Sequence, residues 1–261
     1  MTLVRLWRDV RSRRDLLQNL VRRDLVERYQ RSWRGIILAL AWPALATAVF
    51  TLLFSRLVPR GGMYPLHVFV GFLAFDWFAR TAALSTDVLR GHASLIGRVP
   101  FPIVIVPVAT CIATAVHFAV GLLFAIVANV LFGTGAHATL ALVPILVLVQ
   151  LAWNVGCALL LSVAGVLFRD FAQLVALGTG LLFYATPIFY SPDIVPWPAV
   201  REALGWNPLY VAIESLRVTI LDGRAPPLGP SAYGFACAAI ALCAGTALFE
   251  RSRYSVVERL G

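Results

Sequence analysis

The chain has 261 residues, of which 60% are hydrophobic and only 13% charged, and its net charge of +9 rests on 22 Arg with no Lys. Soluble domains carry about 25% charged residues, so an ordinary soluble domain is excluded and the polytopic membrane class is indicated. Residues 1–34 hold ten Arg against Asp9, Asp15, Asp24 and Glu27, directly before an apolar run; that pattern orients a chain in a membrane rather than binding nucleic acid.

Leu3, Leu6, Trp7 and Val10 form one apolar stripe, and Leu16, Leu17, Leu20, Val21, Leu25 and Tyr29 form another, with arginines opposite. The spacing predicts an amphipathic helix within 1–34 lying in the headgroup plane, with Trp33 at the interface. Gly35–Ser55 are 21 residues without a charge, enough for a helix to cross a bilayer core of about 30 Å. This first span is placed at about 35–54, kinked at Pro43. A signal peptide would carry a shorter apolar region nearer the start. The second span, about 66–88, holds Asp76 and Arg80. Arg90–Pro102 is a basic loop punctuated by Gly97 and Pro100. The next 70 uncharged residues, Val99–Phe168, must make two crossings, divided at Gly133–Gly135, at about 103–132 and 140–167.

Arg169-Asp170 reads as a short turn before a fifth span at about 171–190. Ser191–Pro230 are forty residues with seven Pro, too broken for a full crossing. They predict outer helices that enter the membrane partway, with Trp197 and Trp206 at the interface. Leu209–Leu221 is one short amphipathic piece of that region, with Glu214 and Arg217 a turn apart. A sixth span at about 232–249 precedes the charged tail 250–261. The expected fold is all-α: one transmembrane domain over 1–261, six spans, an N-terminal interfacial helix and an outer re-entrant region at 191–230. Six crossings put both termini on one side. The segments on that side then total +8 and those opposite +1, which makes the termini cytoplasmic.

A P-loop needs a lysine at the nucleotide phosphates, and none is present, so ATP-Mg, if used, belongs to a partner subunit; no cofactor is expected on this chain. His67, His92, His117 and His137 are scattered, without ligand spacing, and Cys111, Cys157, Cys237 and Cys243 all lie in apolar runs, where they read as packing residues. No G-x-S-x-G elbow occurs. Asp76 and Arg80 share a helix face at i,i+4. They read either as a pair lining a pathway or as one that merely neutralises itself. Trp42, Phe72, Trp77 and Tyr184 belong to an aromatic set that either lines a path for sugars or packs the core. Tyr184 and Tyr190 are the better candidates, because a phenol in a span wants a polar partner. Arg22, Arg23, Arg28, Arg31 and Arg34 stand below the first span. Their planar forks suit a lipid phosphate or pyrophosphate, or serve orientation alone.

The segment RRDLVERYQRSWRGIILALAWPALATAVFTLLFSRLV resembles the start of membrane subunits of type-2 bacterial ABC exporters for polysaccharides, the O-antigen, capsule and teichoic acid group. LIGRVPFPIVIVPV is similar to the family's loop between spans 2 and 3. FRDFAQLV, TPIFYSPDIVPW and WNPLYVAIESLRVTILDGRAPP follow in the family's order. The resemblance implies a homodimer in the bacterial inner membrane, with two ABC ATPase subunits docked from the cytoplasm. The implied substrate is a polysaccharide on an undecaprenyl pyrophosphate-type lipid. It also implies that Asp87–Pro102 couples to the ATPase, through Arg90, Gly97, Arg98, Val99, Pro100, Phe101 and Pro102. Gly97 stands where the family usually has a second basic residue. The basic helix becomes the gate that admits the lipid carrier, and Pro187, Tyr190, Asn207 and Pro208 shape the outer gate. Two rival expectations are a type-2 exporter of small lipids or drugs and a membrane-embedded glycan transferase. The transferase would want clustered Asp, Glu or His in its loops.

Overall fold

A computed structural model describes residues 3–29, 33–54, 63–98 and 101–260, with the side chains of 3–5, 7, 27–29, 33–40, 42, 54, 98 and 260 outside the description. Among the described residues every regular element is helical. The chain opens with α1 (Leu3–Ser12) and α2 (Arg14–Tyr29), then α3 (Trp33–Phe54), α4 (Tyr64–Gly91) and the short α5 (Ala93–Arg98). Next come α6 (Ile105–Phe132), α7 (Val143–Leu167) and α8 (Phe171–Ala185). Then α9 (Pro198–Gly205) and α10 (Pro208–Ile220) precede the long α11 (Leu228–Leu260). Prolines open α4, α7, α9 and α10 in their first turns, where a missing N–H loses no intrahelical bond. Asn207 caps α10 by accepting from the Leu209 N–H at 3.0 Å. Among the described residues, four stretches are long and apolar enough to cross a membrane: α4, α6, Ala138–Leu167 and α11.

Lipid tails are as apolar as leucine, so spans associate by close packing rather than by hydrophobic drive. The α7–α11 pair shows this. A Cβ on Gly156 would lie 2.5 Å from the Ala241 carbonyl oxygen, and one on Gly245 would run into the Gly156 carbonyl. Only small residues let these backbones meet. Gly165 repeats the arrangement against the Thr86 backbone and joins α7 to α4. The Gln150 side-chain amide donates to the Ala74 carbonyl at 2.8 Å. The Gly165–Thr86 contact lies further along both helices, so α4 and α7 run in the same direction. Against α4, α6 contributes a Thr81–Thr114 hydroxyl bond of 2.8 Å and a Phe118 ring stacked on Trp77 at 4.5 Å.

Among the described residues two large apolar cores result. One holds Leu20, Leu89, Phe101, Ile105, Val163, Phe249 and Val256, and marks the end of the bundle where α2 docks, called here the basic end. The other, with Phe69, Leu73, Trp77, Phe118, Ile188, Leu216 and Ile220, runs toward the far end. The far end is closed by a turn at Gly133–His137, where Gly135 takes φ 91°. Asn129, 1% exposed, ties this turn to α10 by donating to the Ile220 carbonyl at 2.8 Å.

Three sequence expectations change. The N-terminal stripe does not lie wholly in lipid: Leu20 is buried, and Leu6, Val10, Leu16, Leu17 and Val21 pack against the same basic-end core. A stripe that suits the acyl boundary suits a protein face equally well. The fifth apolar helix stops at Ala185 instead of 190, because Pro187 pushes Thr186 into extended backbone, φ −102° and ψ 127°. The last helix runs on to Leu260, its Val256 buried beside Leu20 and Phe249.

Candidate functional site

A groove of about 340 Å³ separates α4 from α8. Phe72, Phe75, Asp76 and Ala79 supply one wall at helical spacing; Ala176, Thr179, Gly180, Phe183 and Tyr184 supply the other. Rings dominate it. Phe183 sits 5.3 Å from Phe75 and 5.9 Å from Phe72, both edge-on, and Phe50 stacks on Phe189 at 4.5 Å beyond it. Asp76 brings a carboxylate, 2.5 Å from Arg80. Asp76 is 12% exposed and Arg80 36%, so the pair opens outward on the Arg80 side. Ring faces flanked by an ion pair offer both a stacking surface and hydrogen-bonding groups to a polyhydroxylated ligand.

Of the residues expected along the path, Phe72, Asp76 and Tyr184 meet in this groove, with Arg80 at its rim through the ion pair. Trp77 does not: it is 1% exposed and stacked on Phe118, between α4 and α6. Trp42 lies on α3, but its side chain is outside the described residues.

Beyond α8 the chain runs extended through Thr186–Tyr190, and side chains hold it from several directions. The Asn207 amide donates to the Thr186 hydroxyl at 3.0 Å, and the Tyr64 hydroxyl donates to the Phe189 carbonyl at 2.6 Å. The Tyr190 hydroxyl donates to the Tyr184 carbonyl at 3.2 Å. Arg217 donates to the carbonyls of Pro187, at 3.1 Å, and Ile188. Pro187, Tyr190 and Asn207 are thus brought together around one segment, while Pro208 opens α10 and lines a separate cavity among α7, α10 and α11. Arg217 was not singled out as a site residue. Ile213, Arg217 and Ile220 share one helix stripe and all three are buried, which only the packing of α10 against its neighbours reveals.

At the basic end, Arg90 reaches the carbonyls of Val166, at 3.5 Å, and Phe168, at 3.4 Å, and Arg259 reaches that of Leu167 at 3.5 Å. Two arginines thereby face the carbonyl end of α7, where a cation is favoured. Gly97 and Arg98 end α5; the Arg98 side chain, Val99 and Pro100 lie outside the described residues. Phe101 is buried in the basic-end core, and the Pro102 carbonyl accepts from the Ile105 N–H at 3.0 Å. Arg22 and Arg23 are exposed on α2. Arg28 and Arg34 lie on α2 and α3 with side chains outside the described residues, and Arg31 is outside them altogether.

Residues 15–221 match the family described as ABC-2 type transporter. The chain belongs to this family. It is 27% identical over 260 residues to the O-antigen export system permease protein RfbA of Myxococcus xanthus, covering 99% of this chain and 100% of that one. It is 29% identical over 218 residues to the protein of the same name from Klebsiella pneumoniae, with 80% of this chain and 81% of that one aligned. A second Klebsiella pneumoniae protein of that name is 28% identical over 216 residues. As a member of the ABC-2 family, the chain is a transporter's membrane subunit rather than an enzyme, and it works with an ABC ATPase.

Proposed function

We propose that this chain is the transmembrane subunit of an ABC exporter that moves a lipid-linked polysaccharide out of the cytoplasm. The observation that carries the reading is an end-to-end likeness to an O-antigen export permease, in a chain with an aromatic groove beside a candidate span. In this reading the chain is one permease domain with six crossings. Beyond the four long apolar stretches, α3 spans as a 22-residue helix of about 33 Å. The fifth crossing combines α8, 15 residues and about 22 Å, with the extended Thr186–Tyr190. Non-helical backbone at that depth is tolerated where protein satisfies its polar groups, and Arg217 and Tyr64 do so here for the carbonyls of Pro187, Ile188 and Phe189. The basic end faces the cytoplasm with both termini, by the positive-inside rule, in a bacterial inner membrane.

Two copies complete the path. No residue of α8 is buried, and Leu174, Leu177, Leu181 and Tyr184 form an exposed stripe along it. Leu45, Val49, Leu52 and Leu53 of α3 are likewise exposed. These faces seat a second copy, so that two grooves meet in one channel. ATP-Mg binds in two separate ATPase subunits, which act on the segment Asp87–Pro102. The α2 arginines receive the pyrophosphate of an undecaprenyl-type carrier, as planar guanidinium forks would.

One observation favours the rival reading, export of a small lipid or drug. An apolar cavity of about 350 Å³ lies among α7, α10 and α11, lined by Ile145, Trp153, Leu209 and Phe235 among others. It stands apart from the α4–α8 groove. The deciding experiment reconstitutes the permease with its ATPase in proteoliposomes. Lipid-linked polysaccharide should stimulate ATP hydrolysis and become accessible on the far side, and Tyr184→Ala with Phe183→Ala should reduce both. Stimulation by small amphiphiles alone, blocked by a Leu209→Trp cavity-filling variant, would replace this reading with the rival.

A further inference from the structure

Among the described residues, Arg217 is the only charged side chain in the buried interior, 2% exposed. An arginine at membrane depth is expensive and as a rule faces partners or water. Here Nε donates to the His67 carbonyl at 3.0 Å, Nη1 to the Pro187 carbonyl at 3.1 Å, and Nη2 to the Ile188 carbonyl. Nη1 also lies 3.5 Å from the Glu214 carboxylate, which is 31% exposed. Space has been made for the guanidinium. Gly71, one turn along α4 from His67, has no side chain, and a Cβ there would overlap Nη2 and come within 2.8 Å of Cζ. The fork therefore joins three pieces of chain: the start of α4, the segment after α8, and α10. Lysine has the charge but not the several fixed donor directions such a joint needs.

The carbonyls of Pro187 and Ile188 are the first beyond the groove wall that α8 supplies, apart from that of Thr186. Holding them to α10 and α4 sets how far the end of α8 leans from α4. We infer that Arg217 is a positioning residue for gating: its guanidinium clamps the far end of α8 and keeps the groove's mouth closed until the transporter is driven. Opening exchanges the two carbonyls for the nearby Glu214 carboxylate and water. The cation is then never left unpaired, which is what makes the release affordable in a poorly solvated place. This inference rests on the reading that α8 lines the path.

The test uses the permease–ATPase complex in proteoliposomes loaded with a small polar dye, without nucleotide, and normalises efflux to folded, ATPase-bound protein. Arg217→Gln removes the clamp. Gly71→Ala keeps the charge but displaces it. Both should raise the nucleotide-independent leak about tenfold, roughly the weight of one lost charge-assisted hydrogen bond, and Arg217→Lys should give an intermediate leak. A merely structural arginine would lower the folded yield without changing leak per folded complex, and that outcome overturns the inference. Should these variants not assemble, a Thr186→Cys/Asn207→Cys pair leaves Arg217 intact and, bridged by a short bifunctional methanethiosulfonate, ties the same segment to the start of α10, where the two native side chains hydrogen-bond at 3.0 Å. Cross-linking should stop ATP-driven export and reduction restore it; full export by the cross-linked complex refutes the clamp. A wild-type complex that moves no polysaccharide, combined with a leaky Arg217→Gln, would sink the substrate assignment and leave the clamp standing.

Discussion

Replacing Asp76 and Arg80 singly and together decides whether the groove's ion pair serves the path or only itself. A lone charge at the centre of a spanning helix costs about 2.5–3.5 kcal/mol on insertion scales. Arg80 is 36% exposed at the groove's rim, so its share is discounted for screening to about 1–2 kcal/mol. Asp76→Asn strands a guanidinium that cannot shed its proton. It should destabilise the complex by about 2 kcal/mol, roughly a 30-fold shift in the folded ratio. Arg80→Gln strands a carboxyl that can take up a proton, so its loss should be smaller, about 1 kcal/mol. In Asp76→Asn/Arg80→Gln neither charge is left, and stability should return to within about 0.5 kcal/mol of wild type. The assay pairs detergent-induced unfolding of the purified complex with polysaccharide export. Recovered stability with export still reduced makes the pair a working part of the path. Recovery of both makes it a neutralising pair. A double variant as unstable as Asp76→Asn refutes the charge-pair argument itself.

Gly156→Ala pushes a methyl into the Ala241–Leu242 backbone and should lower stability by about 1–3 kcal/mol; Gly178→Ala, with open space around it, should cost nothing in the same thermal-unfolding measurement on isolated chains. Asn129→Ala removes the donor that ties the Gly133–His137 turn to α10. It should cost about 1–2 kcal/mol, with faster hydrogen exchange at the end of α10 as the local signature. Deleting Gly97–Pro102 should abolish export while ATP hydrolysis by the partner continues uncoupled, and undiminished surface polysaccharide would remove the coupling role of that loop.

Much of the fold was legible because lipid imposes length. The uncharged run 99–168 had to fold back on itself, and the Gly133–Gly135 turn does so between α6 and α7. The stop at Ala185 was also legible, through Pro187, but a reading built on apolar run lengths carries a helix on to the last aromatic. The reach of α11 was not visible as a helix, because its final turns are charged and hydropathy falls silent there. The site was legible in part. Asp76 and Tyr184 declared themselves as polar groups in apolar runs, yet Trp77, one residue from Asp76, faces the other way. Composition cannot tell the faces of a uniformly apolar helix apart; only the partner helix does. Arg217 was read as part of an amphipathic surface helix, since a short helix with one Glu–Arg pair looks solvated until its neighbours are known.

The same physics explains which helix becomes the centre. In water, the most apolar helix would be the most enclosed. In this chain α4 is the least apolar of the four candidate spans and the most enclosed, whereas α6 and α11 are more apolar and turn much of their surface outward. Their exposed residues are large and apolar, Leu123, Phe124, Phe235 and Ile240, while the interior collects Thr81, Ser85, Thr114, Asn129 and Ser162. Lipid rewards apolar surface wherever it is shown, so burial there selects for small residues that let backbones meet and for polar groups that find partners inside. Asp76, Arg80 and Arg217 all bear on α4, by membership or by contact. The helix least able to face lipid is therefore the one around which groove and clamp are both assembled.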